Sequence, residues 1–193
     1  MNNDNLKKKK RKSFILDASA IINARQLERY LNIGRLFITE SVLSELQDRM
    51  SSFHFDILKE SGYLSVVVPS LDSIKKIEEI VRNAGSLKRL SNTDIDVLGL
   101  ILDLEEENPI IISDDHEIQN IAALLGFSYE PSPNGKKIKS TIIWKFICLS
   151  CNHSFSNETD FCPDCGGSIK RIVKYNPKFL VIALGLDTAR EDP

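Results

Sequence analysis

Cysteine is absent from this 193-residue chain except in one short segment, where four cysteines lie between positions 148 and 165. A disulfide framework spanning the chain is therefore excluded. No apolar run reaches about 18 residues, so we predict no transmembrane helix. No internal repeat is visible, which argues against a solenoid. The basic run Lys7–Lys12 leads into SFILDASAII, which contains an aspartate and lacks a plausible cleavage site. We therefore expect no signal peptide and a cytoplasmic location.

The net charge is also small, at −2, but it is unevenly distributed. Residues 1–12 carry six Lys or Arg and one acid, residues 13–132 carry a net charge of −10, and residues 136–178 carry +5. An acidic body with basic appendages predicts carboxylate chemistry in the body and contact with a polyanion through the appendages. The alternative is an acidic domain whose surface charges are simply solvated.

Short apolar runs alternate with helical patterns in the first two thirds of the chain. Strands are predicted at 14–17, 36–38, 64–68 and 110–113. Helices are predicted from 18 to about Tyr30 and at 41–50, 52–60, 72–85, 93–107 and 117–126. Strands that alternate with helices indicate parallel βαβ units, so we expect a three-layer α/β/α domain with a central parallel sheet.

Composition shifts divide the chain into five segments. The expected boundaries are a basic arm at 1–12, the α/β domain at 13–132, a linker at 133–141, a β-rich module at 142–178 and a tail at 179–193. The linker contains the Pro, Asn, Gly and Lys residues typical of a connection. The tail is apolar, and the sequence leaves open whether it packs back onto a domain or forms a terminal strand.

The β-rich module contains two Cys-x-x-Cys pairs separated by ten residues. The candidate zinc ligands are Cys148, Cys151, Cys162 and Cys165. Four thiolates complete the tetrahedral coordination of Zn²⁺, which predicts a structural site in a small zinc ribbon. The alternatives are two disulfides, free buried thiols, or His153 in place of one thiolate.

Several acids stand at positions that favour a metal site. Asp17 ends the first strand, where open parallel sheets bind ligands, although it could simply cap the next helix. Glu45 borders the buried stripe of Val42 and Leu46 and could equally be a solvated edge residue. Asp94 tops an apolar helix face at a helix N-terminus, whereas Asp96 is expected to face solvent together with Gly99 and Asp103.

The strand that ends at Ser113 brings Asp114 and Asp115 to the same sheet edge as Asp17. A cluster of carboxylates suits Mg²⁺ or Mn²⁺, hard cations that prefer oxygen ligands. Such ions activate water and stabilise phosphodiester cleavage. The sequence therefore predicts a metal-dependent hydrolytic site.

Four blocks, FILDASAII, SVLSEL, LSNTDIDVLGL and IISDDHEIQNIA, resemble the acidic motifs of PIN-domain nucleases. Together with the ribbon WKFICLSCNHSF…FCPDCGGSIKRI, residues 13–175 resemble the NIN-one-binding family, endonucleases that mature the 3′ end of small-subunit ribosomal RNA. The resemblance implies metal-binding carboxylates, with Gln119 and Asn120 also matching the family. These carboxylates are Asp17, Glu45, Asp94 and Asp115. His116 replaces the usual aromatic residue of the last block, and Gly99 stands where alanine is common.

The adjacent acids Asp114 and Asp115 need separate roles. Asp114-x-x-Glu117 has the spacing of a capping box, with Asp in place of Ser or Thr. We therefore predict that Asp114 caps the helix and that Asp115 is free to bind metal. Asp114 and Ser19 are kept as further possible ligands of the Mg²⁺ or Mn²⁺ ion.

Basic and aromatic residues are interleaved in the ribbon. The predicted RNA contacts are Lys145, Lys170, Arg171 and Lys174, since lysine near aromatic rings suits phosphate contact beside stacked bases. The alternative for Trp144 and Phe146 is that they form the core of the ribbon. The N-terminal arm could add affinity that does not depend on sequence.

The predicted function is metal-dependent endonucleolytic cleavage of precursor small-subunit ribosomal RNA at its 3′ end, with the precursor particle as partner. One alternative is a toxin-type PIN ribonuclease acting on tRNA or mRNA, although such toxins are usually single domains. The other is a non-catalytic RNA- or ribosome-binding protein, against which the presence of all four acids argues.

Overall fold

A computed structural model describes residues 11–21, 29–47, 60, 62–155 and 158–174. Residues 1–10 of the basic arm, most of the predicted 52–60 helix and the 179–193 tail lie outside the described residues, as does Tyr175. Within the described ranges, no helix is both long and apolar enough to cross a membrane.

The first part of the chain forms a five-stranded parallel sheet. The strands are β1 Lys12–Leu16, β2 Gly34–Thr39, β3 Leu64–Val67, β4 Ile110–Ile112 and β5 Ser128–Glu130, in the order β3-β2-β1-β4-β5. The apolar runs of β1, β2 and β4 are typical of parallel strands covered on both faces. The expected central parallel sheet flanked by helices is confirmed. Strand β5 was not predicted, because its three residues, SYE, lack an apolar run and lie at the sheet edge.

Five α-helices of four or more described residues accompany this sheet. They are α1 Ala18–Ile21, α2 Glu40–Gln47, α3 Leu71–Asn83, α4 Asn92–Asp103 and α5 His116–Leu124. The prediction that α4 continues to residue 107 was wrong. Glu105–Glu107 is a separate 3₁₀ turn, and Asn108 is left-handed at φ 52°. Pro109 disfavours the α conformation at the preceding residue, so the helix stops before it.

The face of α4 that carries Asp96, Gly99 and Asp103 was expected to lie in solvent, and the structure differs from this expectation. Gly99 is buried, and a Cβ atom there would lie 2.9 Å from Cδ1 of Ile74 on α3. Asp96 is half-buried and accepts a hydrogen bond from the Ser41 hydroxyl of α2 at 2.6 Å. Of the three residues expected in solvent, Asp103 alone is exposed. The helical phase was correct, but neighbouring helices cover two of these positions.

The strand order places a change of direction at the centre of the sheet. The chain moves from β1 outward to β2 and β3, and then returns to β4 on the other side of β1. Ile15 pairs with Ile111 across β1 and β4. In open α/β sheets, the crevice at the carboxyl ends of such strands is the usual ligand site.

The second part of the chain is an antiparallel sheet in the order β7-β6-β8. Its strands are β6 Ile143–Cys148, β7 Ser154–Phe155 and β8 Ile169–Lys174. The start of β6 touches the body, since the Trp144 N–H donates to the carbonyl of Ala84 at 3.0 Å. Gly85 follows at φ +68°, and a Cβ atom there would lie 2.9 Å from Cβ of Trp144. Glycine thus permits both the turn after α3 and the close approach of the ribbon.

Candidate active site and metal centre

Asp17 lies directly after β1 and is 6% exposed. Its Oδ2 accepts hydrogen bonds from the hydroxyls of Ser19 at 2.7 Å and Ser113 at 2.8 Å, and its Oδ1 accepts from the Ala18 N–H at 2.6 Å. Burial raises the pKa of Asp17; these three hydrogen bonds oppose the rise, and the charge of Asp115 adds to it. The chain therefore holds a desolvated carboxylate at the crevice, where a cation would stabilise it.

Asp94 lies in the first turn of α4 and forms a reciprocal capping box with Ser91. Its Oδ2 accepts from the Ser91 N–H at 2.7 Å, and its own N–H donates to the Ser91 hydroxyl at 3.2 Å. Burial raises the pKa of Asp94 against these hydrogen bonds, and the charges of Asp17 and Asp115 raise it further. The electrostatic coupling indicates that these three carboxylates share one region.

Asp115 is the N-cap of α5, so the assignment of the cap to Asp114 was wrong. Oδ1 of Asp115 accepts from the N–H groups of Glu117 at 2.6 Å and Ile118 at 3.4 Å. The helix begins at His116, one residue later than the capping-box spacing implied. Glu117 does not reach back to a cap; its carboxylate accepts from the Ser86 hydroxyl at 2.9 Å.

Asp114 instead binds Ser132, the last residue of the body before the linker. Its Oδ1 and Oδ2 accept from the N–H of Ser132 at 2.8 Å and from the Ser132 hydroxyl at 2.6 Å. Gly135 leaves room for this contact, since a Cβ atom there would lie 1.7 Å from Oδ1 of Asp114. Both carboxylate oxygens of Asp114 are thus occupied by the protein itself.

Two serines hold the ends of β1 and β4 together. The Ser19 hydroxyl donates to Asp17 and accepts from the Asp114 N–H at 3.0 Å. Ser113 is fully buried, donates to Asp17 and accepts from the Asp115 N–H at 3.0 Å. Sequence reasoning gave Ser113 no role, although a buried hydroxyl at a strand end beside two acids was a signal for one.

Glu45 lies on α2, partly buried, one residue before the buried Leu46. Among the described residues, no hydrogen bond or ion pair joins it to Asp17, Asp94 or Asp115. Its metal role stays a prediction.

The carboxylates offer the oxygen donors that a hard cation prefers. The hydrogen bonds between described residues use Oδ1 of Asp115 and Oδ2 of Asp94, which leaves the other oxygen of each available. Within the described part of the chain, four cysteines are the one set of three or more candidate ligand side chains whose ligand atoms all lie within 4.8 Å. The acids are more widely spaced, which suits a cation that keeps several water ligands.

The four predicted cysteines converge in the ribbon. Sγ of Cys148 lies 3.5 Å from Sγ of Cys165, and Sγ of Cys151 lies 3.6 Å from Sγ of Cys162. Tetrahedral sulfurs about 2.3 Å from zinc lie about 3.8 Å apart, so this cluster could bind the ion. His153 is not part of it, because its ring pairs with Asp164 and stacks on Phe155 at 4.7 Å.

The predicted RNA-binding residues occupy opposite faces of the ribbon sheet. The pairing places Lys145 opposite Ile172 and Lys170 opposite Ile147, so Lys145, Lys170 and Lys174 share one face. Lys170 is exposed, and the other two are partly exposed. Their role in RNA contact stays a prediction.

Arg171 lies on the other face and contacts the body. Its guanidinium lies 3.6 Å from the ring centroid of Trp144, donates to the Gly85 carbonyl at 3.1 Å and approaches Glu117 at 3.5 Å. The side chain is 14% exposed. We therefore reassign Arg171 from RNA contact to the interface between ribbon and body, where Trp144 and Phe146 also pack.

Comparison with known proteins agrees with this architecture. Residues 14–104 match the family described as PIN domain of ribonuclease. Endoribonuclease Nob1 of Pyrococcus abyssi is 32% identical over 160 residues, which cover 82% of this chain and 92% of that protein. Ribonuclease VapC1 of Thermoplasma acidophilum is also 32% identical, over 82% of this chain and 77% of that protein. The 20S-pre-rRNA D-site endonuclease NOB1 of Saccharomyces cerevisiae is 30% identical, over 49% of this chain and 20% of that protein.

The sheet order, the acidic crevice, the cysteine cluster and these similarities over most of the chain lead to one conclusion: the chain belongs to the Nob1 family of PIN-domain endoribonucleases.

Proposed function

We propose that this protein is a Mg²⁺- or Mn²⁺-dependent endoribonuclease that cleaves precursor small-subunit ribosomal RNA at its 3′ end. The observation that carries the proposal is that the buried Asp17 after β1 and Asp115 after β4 bind the same Ser113 hydroxyl at the carboxyl ends of these strands, with Asp94 close enough for their charges to raise its pKa. The name of the yeast relative supports the choice of substrate. A cytoplasmic location and the small-subunit precursor particle as partner belong to the same proposal.

Each residue of the crevice has a defined task in this mechanism. Asp17, Asp94 and Asp115 would hold the cation, with Glu45 as a fourth carboxylate. When bound, the cation supplies Lewis-acid stabilisation of the phosphate and activation of water. Ser19 and Ser113 orient Asp17, and the cap on α5 uses one oxygen of Asp115 and leaves the other available. Burial weakens competing solvation of Asp17, which strengthens its attraction for a cation.

The ribbon would position the substrate. Zinc bound by the four cysteines would keep its three strands together. Lys145, Lys170 and Lys174 form a basic face that suits phosphate contact, and their attraction would be salt-dependent.

A VapC-type ribonuclease acting on another RNA is the second candidate, favoured by the similarity to the Thermoplasma protein. The two functions differ in substrate rather than in chemistry. Full-length protein should therefore be incubated with a small-subunit precursor transcript, total tRNA and an mRNA, each with Mn²⁺, Mg²⁺ or chelator. Chelator-sensitive cleavage at one site of the precursor supports the proposal, whereas cleavage confined to tRNA or mRNA supports the VapC-type function.

Asp17→Asn tests the mechanism. We expect it to lower the cleavage rate by more than about 100-fold, since even residues that only support metal ligands cost 10–100-fold when removed. Folding and RNA binding should persist, because asparagine keeps the shape of the side chain. Asp72→Asn, at an exposed position in the first turn of α3, is the matched control. A variant at position 17 with full metal-dependent activity would refute the mechanism.

A further inference from the structure

The segment between the body and the ribbon, residues 133–141, is held in a defined position by two buried amides of α5. Gln119 donates to the Lys136 carbonyl at 3.1 Å and accepts from the Ile138 N–H at 2.9 Å. Asn120 donates to the Ile142 carbonyl at 2.8 Å and accepts from the Ile142 N–H at 2.7 Å. A segment that merely tethers two domains does not need its backbone bound by buried side chains at Lys136 and Ile138, and again at Ile142 where the ribbon begins.

The fixed backbone presents three exposed lysines, Lys136, Lys137 and Lys139, while Ile138 between them is partly buried. Together with His116 and Trp144, they line a cleft with a volume of about 430 Å³. This volume lies within the usual range for small-ligand sites and is large enough for a nucleotide. Lys137 is positioned by the ring of Tyr129, with its Nζ 4.6 Å from the ring centroid.

The charge of this cleft contrasts with that of the body around it. Its lining includes three lysines and one acid, Glu117, which already approaches Arg89 and Arg171. The body carries a net charge of −10 over residues 13–132 and would repel an RNA chain. The lining also includes His116, which directly follows Asp115, so the cleft begins one residue from the proposed cation site.

We infer that this linker cleft binds the single-stranded RNA segment next to the scissile phosphate, with Lys136, Lys137 and Lys139 contacting its phosphates. The inference rests on the proposed endoribonuclease function and adds a substrate-binding surface to it. The cleft places positive charge beside the acidic crevice that an RNA strand must enter to reach the carboxylates. The ribbon lysines would bind more distant phosphates.

The test replaces Lys136, Lys137 and Lys139 by glutamine in the full-length protein. The triple Lys75→Gln, Lys76→Gln and Arg82→Gln on exposed positions of α3 removes the same charge outside the cleft. Binding of a 3′ fragment of the precursor transcript is measured over a range of salt concentrations, with Asp17→Asn added to each protein to prevent cleavage. KM and kcat are measured without that addition.

Loss of three phosphate contacts should reduce the slope of log K against log salt by about 2 and weaken binding roughly 10- to 50-fold at 0.15 M salt. KM should rise by a similar factor with little change in kcat, and the α3 control should stay close to the unmodified protein. Equal salt slopes and equal KM values for the linker triple and the α3 triple would overturn the inference. The same result is expected if the cleft binds a protein instead of RNA.

Failure of the inference and failure of the proposed function give different results. If the unmodified protein cleaves the precursor but the linker triple binds RNA normally, the cleft is not the binding surface and the function stands. If no RNA is cleaved but the linker triple alone loses the salt-dependent binding, the cleft binds RNA and the proposed function is wrong.

Discussion

The body and the ribbon place their metal-binding groups in opposite ways. In the body, a parallel sheet packed with branched aliphatic side chains forms the core, and the carboxylates lie at its edge. Hydrogen bonds from Ser19, Ser91 and Ser113 hold two of these carboxylates. In the ribbon, the buried side chains among the described residues are Ile143, Phe146, Cys148 and Cys162, so half of them are candidate zinc ligands. The body should therefore stay folded when one of these carboxylates is replaced, whereas the ribbon should unfold when one of its cysteines is replaced.

The largest expected effect is therefore that of Cys162→Ser. Structural zinc contributes about 10–16 kcal/mol in small zinc-dependent modules, more than three short strands can replace. The variant should lose its zinc and the tertiary structure of the ribbon, while the body remains folded. Zinc content by native mass spectrometry and amide NMR signals of β6 and β8 measure both. Ser150→Ala, in the other knuckle between Cys148 and Cys151 and without a ligand atom, is the control. A zinc-free Cys162→Ser variant with an intact ribbon spectrum would contradict the expected dependence of the ribbon on zinc.

The second prediction compares Asp115→Asn with Asp114→Asn in the body. Asparagine is a good N-cap, so Asp115→Asn should change the free energy of unfolding by less than about 0.5 kcal/mol. Its kcat/KM should nevertheless fall by more than about 100-fold, because a proposed cation ligand loses its charge. Asp114→Asn should cost far less activity, since both carboxylate oxygens already bind Ser132.

Cleavage kinetics together with thermal unfolding of each variant measure this difference. Equal losses of activity at the two positions would mean that both aspartates share the cation site. A large loss of stability in Asp115→Asn would mean that the edge of the body, like the ribbon, depends on its ligand residues for folding.

The smallest effect is expected where the two regions meet. Arg171→Gln removes the contact with Trp144, the hydrogen bond to Gly85 and the approach to Glu117. Ribbon docking should weaken by about 1–3 kcal/mol, the usual range for a partly buried charged hydrogen bond. NMR relaxation should then report faster tumbling of the ribbon relative to the body. Lys170→Gln on the opposite face should leave docking unchanged, and identical behaviour of the two variants would remove Arg171 from the interface.

Much of this architecture was predictable because its signals are local. β4 reads as an uninterrupted apolar run, Asp17 directly follows β1, and Asp115 lies three residues after the end of β4, so the acidic crevice follows from parallel topology. Strand β5 was missed because three polar or aromatic residues at a sheet edge carry no periodic signal. The end of α4 was missed because three glutamates favour a helix, whereas Pro109 and the left-handed Asn108 stop it.

By itself, the sequence determined the four-cysteine cluster and the acids at the strand ends, since both depend on spacing within one turn or one strand. The tertiary structure decided which aspartate caps α5 and which basic residue faces the body. Asp114 is drawn away by Ser132 and Arg171 by Trp144 and Gly85, partners distant in sequence. A helix start or a strand register that differs by one residue exchanges the roles of neighbouring side chains. Contacts between segments distant in sequence determine which of the two arrangements forms.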